Sequence, residues 1–217
     1  METFAVLGLG RFGSAVAKQL FNMGFEVLAV DRNMDKVNLM ADHVTQAIGG
    51  DVKDENVLKS VGISNYDCVV IAIGNLSDSI LTTLLVKEAG VKKVVCKALD
   101  YNHKKVLKKI GADSVIIPEH EIGIKTAVGL ASRHLVDVID LSDKYGIIDV
   151  GVPASWVGKG IGELNVRNKY KMNIIAIKSA SDDQKIVITP GADYKFEKSD
   201  IIVFVGEIKT VNILNNL

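Results

Sequence analysis

Hydrophobic positions follow two different spacings along the first 120 residues. Short apolar runs, typical of buried parallel strands, are separated by stretches in which apolar residues recur every three to four positions, as on one face of a helix. The strand-like runs cover residues 4–7, 26–30, 44–48, 68–73, 93–97 and 114–117, and the helical stretches cover 12–20, 34–42, 55–60, 77–89 and 102–110. This alternation predicts a doubly wound α/β domain over residues 1–120, with a ligand at the carboxyl ends of its strands.

The pattern changes after residue 120. A long amphipathic stretch over 122–135 has no strand after it at the usual crossover spacing, so residues 121–136 are predicted to form a connector helix. Its apolar face fits packing against another subunit or against its own chain. Five strand-like runs follow at 138–141, 147–152, 173–178, 185–189 and 201–205, with a short helical piece at 166–170. We predict a small α+β lobe over 137–217.

A glycine-rich turn, GLGRFG at residues 8–13, follows the first strand, and Asp31 closes the second. In this pattern Gly8 allows the tight turn, Gly10 lets the backbone approach phosphates, and Gly13 lets the helix pack close to the sheet. The amides of the helix N-terminus then face an anion, and Asp31 accepts hydrogen bonds from ribose. The pattern predicts a Rossmann-like nucleotide site. Asp31 opposes a 2′-phosphate, which disfavours NADP but does not separate NAD from ATP or ADP.

Composition narrows the functional classes. The chain has 26 basic and 26 acidic residues without a basic stripe, so no nucleic-acid partner is expected. No apolar stretch reaches the roughly 18 residues that cross a bilayer, and the sequence enters a strand without a signal peptide, so a cytoplasmic location is expected. Cys68 and Cys96 lie in apolar runs without metal-site spacing and are predicted to be buried thiols.

Several sequence blocks in both halves of the chain carry a family resemblance. They are FAVLGLGRFG at 4–13, EVLAVD at 26–31, LTTLLVKE at 81–88, KKIGAD at 108–113, IPE at 117–119, IDLSDKY at 139–145 and LNVRNKY at 164–170. In these blocks the chain resembles, over nearly its whole length, the KtrA/TrkA-type RCK (regulator of potassium conductance) subunits of bacterial potassium uptake systems. The glycine motif alone would not separate this family from dehydrogenases, whereas the later blocks do.

The resemblance implies an ATP or ADP site in the first lobe. Arg11 would reach the phosphate of a neighbouring subunit's ligand, Asp31 would bind the ribose, and Glu119 would hold a divalent cation, Mg or Ca, between two subunits. Asp51 would flank the adenine, although related chains often carry asparagine there, and Leu99 stands where a polar residue is usual. The implied nucleotide-binding residues are Gly8, Gly10, Arg11, Phe12, Gly13, Asp31, Arg32, Asn33, Asp51, Val52, Ile73, Gly74, Asn75, Lys97, His103 and Glu119.

The resemblance also implies an assembly and a second ligand. Dimers would form an octameric ring beneath a potassium-transporting membrane subunit, peripheral to the inner face of the membrane, and exchange of ATP for ADP would change the shape of the ring. In related chains the second lobe binds cyclic di-AMP between two copies. Here Arg167 would meet a phosphate, Ile174 and Ile175 would flank the bases, and Pro190 belongs to the same region.

Two other functional classes stay open at this point. One is an NAD-dependent oxidoreductase with a short substrate domain, for which His120, at a predicted strand end, is the only plausible acid. His43 and His103 belong to the first lobe and His134 to the connector helix. We find no catalytic triad, metal cluster or paired carboxylates in the second part. The other class is a stand-alone nucleotide sensor with a different partner.

Overall fold

The computed structural model describes residues 2–131, 135–142, 144–179 and 182–214. The chain divides into two compact units, Met1–Glu119 and His120–Leu217. Each unit has its own hydrophobic core and is described separately below.

The first unit is a six-stranded parallel sheet with helices on both faces. Its strands are β1 (Thr3–Leu7), β2 (Glu26–Asp31), β3 (Gln46–Gly49), β4 (Cys68–Ile71), β5 (Lys93–Lys97) and β6 (Ser114–Ile116), in the order β3-β2-β1-β4-β5-β6. The helices are α1 (Arg11–Asn22), α2 (Met34–Met40), α3 (Glu55–Ser60), α4 (Leu76–Glu88) and α5 (Tyr101–Lys109). This confirms the doubly wound, Rossmann-like sheet, whose strand order reverses between β1 and β4.

Two apolar cores cover the faces of this sheet. Ala17 from α1 and Val37 from α2 pack on one face, whereas Leu58 from α3, Val86 from α4 and Leu107 from α5 pack on the other. All five side chains are almost fully buried. Burial of both faces explains why the strands appear in the sequence as continuous apolar runs rather than as alternating ones.

Four of these helices begin with a side-chain cap, and α1 does not. Asn33, Asp54, Asn75 and Asp100 accept hydrogen bonds from first-turn amides of α2, α3, α4 and α5, respectively. These bonds satisfy donors that a helix leaves without intrahelical partners. Helix α1 begins after Gly10, which has no side chain to act as a cap. Its first-turn amides therefore depend on water or a ligand.

The second unit is built around a five-stranded antiparallel sheet. After α6 (Pro118–Ala131) come β7 (Leu135–Asp140), β8 (Tyr145–Gly151), the short helices α7 (Ile161–Leu164) and α8 (Val166–Tyr170), β9 (Asn173–Ser179), β10 (Asp182–Ile188), β11 (Asp200–Glu207) and α9 (Thr210–Leu214). The strand order is β10-β9-β11-β8-β7. Trp156, Phe196 and Phe204 are the largest fully buried side chains of its core. This confirms the small α+β lobe.

The predicted connector helix differs from the structure at both ends. Within the described residues helix α6 covers Pro118–Ala131, and Leu135 opens β7, so the expectation of a helix through residue 136 is wrong. The backbone from Leu135 onward pairs with β8, and such ladder formation overrides a helical apolar pattern. The strand predicted at 44–48 also shifts to Gln46–Gly49 because a 3₁₀ turn occupies Ala41–His43.

Both cysteines lie in central strands of the first unit. Cys68 in β4 and Cys96 in β5 are buried, as predicted. Burial raises the pKa of both thiols, that of Cys96 to about 11. The Cys96 Sγ lies 3.4 Å from the Thr83 Oγ1, which also donates to the Ser79 carbonyl oxygen. Neither thiol is set up to act as a nucleophile.

Within the described residues, the structure contains no helix that is long and apolar enough to cross a membrane.

Candidate nucleotide site

An open cleft of about 360 Å³ lies at the carboxyl ends of β1 to β4 in the first unit. Nine of the sixteen predicted nucleotide-binding residues line it: Gly8, Gly10, Asp31, Arg32, Asp51, Val52, Ile73, Gly74 and Asn75. In a doubly wound sheet this is the crevice in which ligands bind. The lining combines charged groups at the rim with apolar side chains such as Val52 and Ile73.

The three motif glycines are required for different reasons. Gly8 has φ +99°, and a Cβ there would lie 2.9 Å from the Ala72 carbonyl oxygen. A Cβ on Gly13 would collide with the carbonyl oxygen of Gly8. Gly10 has an ordinary extended backbone, φ −75° and ψ −177°, and a Cβ there would meet no atom within 4 Å. The fold of this unit explains Gly8 and Gly13, whereas at Gly10 it requires only an N-cap residue and leaves the space beside that residue open.

Asp31, the last residue of β2, ties the glycine loop after β1 to the segment between β2 and α2. Its Oδ2 accepts from the backbone N of Leu9 at 2.7 Å and from the Lys36 Nζ at 3.3 Å, and its Oδ1 accepts from the backbone N of Asn33 at 2.9 Å. Burial raises the pKa of this carboxyl, but the bonds from Asn33, Leu9 and Lys36 outweigh it and leave the pKa below 3.8. Asp31 is therefore ionised and positions the glycine loop even before a ligand arrives.

The Asp31→Asn variant is expected to lose about 1–3 kcal/mol of unfolding free energy at neutral pH, because an amide matches this set of three donors poorly. The folded-state pKa lies below the ordinary value, so the charge stabilises the fold above 3.8, and this contribution is lost as the pH falls through the lower folded value. Denaturant titrations followed by circular dichroism should show a difference from the parent chain at about pH 7 that shrinks as the pH is lowered below 3.8. A difference of constant size would contradict this role. Asp35→Asn, an exposed neighbour in α2, serves as the control.

Six further residues line the cleft although the sequence did not single them out as site residues: Val30, Lys36, Gly50, Lys53, Ala72 and Asp78. Two of them are lysines engaged with acidic side chains. Lys36 pairs with Asp31, and Lys53 lies 3.3 Å from the Asp78 Oδ1 and 3.7 Å from the Asp51 Oδ2. The pair between Lys53 and Asp78 joins residues from two different loops, so no periodicity or spacing in the sequence signals it.

Arg11, Lys97 and Glu119 lie outside the residues that line the cleft. Arg11 is exposed at the start of α1. The Lys97 Nζ contacts the Glu119 Oε1 at 2.5 Å. This bond lowers the pKa of the Glu119 carboxyl, and the charge of Arg11 lowers it further. The ion pair between Lys97 and Glu119 thus lies at the carboxyl ends of β5 and β6, where the charge of Arg11 also acts on it.

The divalent cation implied at Glu119 does not fit the residues of this chain alone. Hard cations take several oxygen ligands, whereas Glu119 is paired with the ammonium of Lys97. Nowhere in the described part of the chain do three or more His, Cys, Asp or Glu side chains come together as a metal site.

The structure places three other predicted site residues in supporting positions. Phe12 packs against the core beneath α1, and Asn33 caps α2. His103 is 1% exposed, with its Nδ1 accepting from the backbone N of Leu99 at 3.2 Å. Burial lowers the pKa of His103, so the ring is neutral. Neither Asn33 nor His103 is among the residues that line the cleft.

The residues suggested for the second ligand are on α8, on β9 and after β10 in the second unit. Ile174 and Ile175 are half-buried in β9, and the Ile175 carbonyl oxygen accepts from the backbone N of Thr189, next to Pro190. Arg167 is exposed on α8, which contacts β9. Of the histidines considered as an acid, His120 lies in α6, and His134 falls outside the described residues.

Family models and relatives match the chain over both units. A TrkA-N domain model matches residues 4–118 and a TrkA-C domain model matches 145–217. The chain is 43% identical to Ktr system potassium uptake protein A of Bacillus subtilis over 99% of this chain and 96% of that protein. It is 38% identical to protein C of the same organism, over 97% and 95% of the two chains. Protein A of Vibrio alginolyticus is 37% identical, over 100% and 98%.

Solved structures of low identity share the fold. The GsuK RCK domain matches 100% of this chain and 47% of its own length, with a TM-score of 0.68 and 17% identity. The GsuK channel bound to NAD matches 100% and 38%, with a TM-score of 0.55 and 20% identity. GsuK bound to ADP matches 56% and 33%, with a TM-score of 0.50 and 24% identity. This chain thus spans less than half of the length of each of these three GsuK structures.

Two domain models in the expected order, full-length identity to Ktr proteins and an RCK fold agree with the sequence blocks and the glycine loop. The chain belongs to the KtrA/TrkA-type RCK family, the regulatory subunits of bacterial potassium uptake systems.

Proposed function

We propose that this chain is the ATP/ADP-switched gating subunit of a potassium uptake system. The observation that carries the proposal is the combination of an uncapped α1 with Gly10, whose missing side chain leaves the cleft open to a phosphate. Backbone amides at a helix N-terminus favour anions. In this arrangement the phosphates lie against the first turn of α1, the ribose against Asp31, and the base between Val52 and Ile73.

The adenine nucleotide is proposed as the ligand over NAD(H) because the full-length relatives are Ktr proteins. The related GsuK fold is known with both NAD and ADP, so the fold accommodates either compound. The charge of Asp31 disfavours the 2′-phosphate of NADP, a group that NAD, ATP and ADP all lack. A divalent cation at Glu119 would need additional oxygens from the nucleotide and a second subunit.

Assembly into a ring of dimers, eight chains in all, is proposed to transmit the nucleotide state to a potassium-transporting membrane subunit. Exposed apolar side chains on α6, with Ile122, Ile124 and Leu130 at 61%, 52% and 84% exposure, support contact between subunits. The chain would then lie at the inner face of the membrane. Switching requires that ATP and ADP have different affinities for two ring states.

A second effector site for cyclic di-AMP is proposed in the second unit between two copies. Arg167 would pair with a phosphate, since a guanidinium matches phosphate oxygens in a bidentate manner. Ile174, Ile175 and Pro190 supply apolar surface for the bases. The proximity of Ile175 to Thr189, and therefore to Pro190, supports this grouping.

Nucleotide binding and its effect on assembly can be tested directly. We expect ATP and ADP to raise the thermal midpoint of the first unit and to give assemblies of different size or shape in small-angle scattering, whereas NADPH should do neither. Arg11→Ala should weaken ATP binding about ten-fold in calorimetry, because it removes a guanidinium from the phosphate. Lys18→Ala, an exposed cation on the same helix, is the control.

Two results would contradict the proposal. One is the absence of any shift with ATP and ADP. The other is nicotinamide-dependent reduction of small carbonyl compounds, which would favour the oxidoreductase class. If nucleotide binding is retained but the chain does not co-purify with a potassium-transporting membrane subunit, the stand-alone sensor gains support.

A further inference from the structure

Two loops form opposite walls of the nucleotide cleft, and Lys53 links them. One wall is the segment from Gly50 to Lys53 after β3, and the other runs from Ala72 into the first turn of α4, including Asp78. The Lys53 Nζ lies 3.3 Å from the Asp78 Oδ1 on the opposite wall and 3.7 Å from the Asp51 Oδ2 on its own wall. The Lys53 side chain thus bridges the two walls at this position.

Each wall is also held by its own hydrogen bonds. Asp51 accepts from the backbone N of Lys53 through its Oδ1 at 3.1 Å and from that of Asp54 through its carbonyl oxygen at 2.9 Å. On the other wall, the Asn75 Oδ1 accepts from the backbone N of Asp78 at 3.0 Å. Because both loops are fixed locally, the pair between Lys53 and Asp78 acts mainly on the separation of the two walls.

This separation matters for the base of the nucleotide. Gly10 is at the phosphate end and Asp31 at the ribose position, so the remaining part of the cleft, with Val52 and Ile73, is left for a flat ring. The side chains of Lys53 and Asp78 are 31% and 23% exposed, so their attraction is only partly screened.

We propose that Lys53 and Asp78 are a positioning pair that sets the width of the base-binding end and thereby strengthens binding of the adenine base. This inference rests on the proposed nucleotide function. The pair acts through the walls and does not contact the phosphates. Lys53 therefore strengthens nucleotide binding only while it is paired with Asp78.

A double-mutant cycle with ADP as the probe tests the pair in the full-length chain. Lys53→Met and Asp78→Asn are each expected to weaken ADP binding about three- to five-fold in calorimetry, the range for a partly exposed ion pair. The double variant should bind no more weakly than Lys53→Met alone, since that variant already removes the pair with Asp78. Lys53→Arg should stay close to the parent chain. Circular dichroism confirms folding of each variant.

The sign of the Asp78→Asn effect separates positioning from simple attraction. If Lys53 served as a cation for the phosphates, removal of the Asp78 charge would tighten ADP binding, which would overturn the inference. Additive losses, or no loss in either variant, would also overturn it. Lys59→Met removes an exposed pair with Glu55 on α3 outside the cleft and should leave binding unchanged. If the parent chain itself fails to bind ADP, the proposed function falls together with this inference.

Discussion

The Gly13→Ala variant is expected to destabilise the first unit by about 3 kcal/mol or more. The added methyl group would collide with the carbonyl oxygen of Gly8 and lie 3.0 Å from the Cβ of Ala72. Gly13 is in a buried part of α1, and the obstacle is backbone, so no side-chain rotation relieves the clash. To make room, α1 must move away from β1 and β4, which disrupts packing on one face of the sheet.

Thermal unfolding measures this loss. For a unit of this size, the transition followed by circular dichroism should fall by roughly 10 °C or more. The only tryptophan, Trp156, is buried in the second unit, so its fluorescence reports that unit separately. We expect the tryptophan transition to move much less than the circular dichroism transition. An unchanged first-unit transition in Gly13→Ala would contradict the close packing of α1 on the glycine loop.

The Gly10→Ala variant is expected to abolish most nucleotide binding while the fold is retained. The backbone conformation of Gly10 suits any residue, and an added Cβ would meet no atom within 4 Å. Stability should therefore change only through the replaced N-cap residue, by about 1 kcal/mol or less. In the presence of a nucleotide, the methyl group would occupy the path of the phosphates to the α1 amides. ATP affinity should fall by about 30-fold or more in calorimetry.

The two glycine variants control for each other. Gly13→Ala should act mainly on stability and Gly10→Ala mainly on binding, although both add one methyl group to the same turn. If Gly10→Ala binds ATP as tightly as the parent chain, the phosphates do not lie at this helix, and the proposed site is wrong. A large loss of stability in Gly10→Ala would instead indicate a packing role that the structure does not contain.

Local chemistry explains why the first unit could be predicted closely from the sequence. Elements such as α3 and β5 have the bounds predicted for them, because buried parallel strands and caps such as Asp54 leave strong local signals. Leu135 was predicted as helical because its apolar spacing continues that of α6, whereas pairing with β8 decides its conformation. Such pairing depends on residues distant in the sequence.

Within the candidate site, too, residues with local signals could be predicted, whereas residues placed by distant contacts could not. Gly8, Gly10 and Asp31, which line the cleft, could be predicted because the glycine pattern restricts residue types within a short segment. Lys36 and Lys53 were missed because a flexible cation can reach any nearby carboxylate, and the fold alone determines which. His103 was expected near the ligand, but its bond to Leu99 holds it in the interior, and its contact with a nucleotide stays a prediction.

The positions of Cys68 and Cys96 have a practical consequence. Both thiols lie within strands at the centre of the first unit, and protonated, enclosed sulfur reacts slowly with alkylating reagents. Alkylation of these thiols therefore requires that the strands separate. Its rate measures how often this unit opens, and no engineered label is needed. A nucleotide that stabilises the closed form would slow this alkylation in proportion to its occupancy, which gives a titration of binding by mass spectrometry.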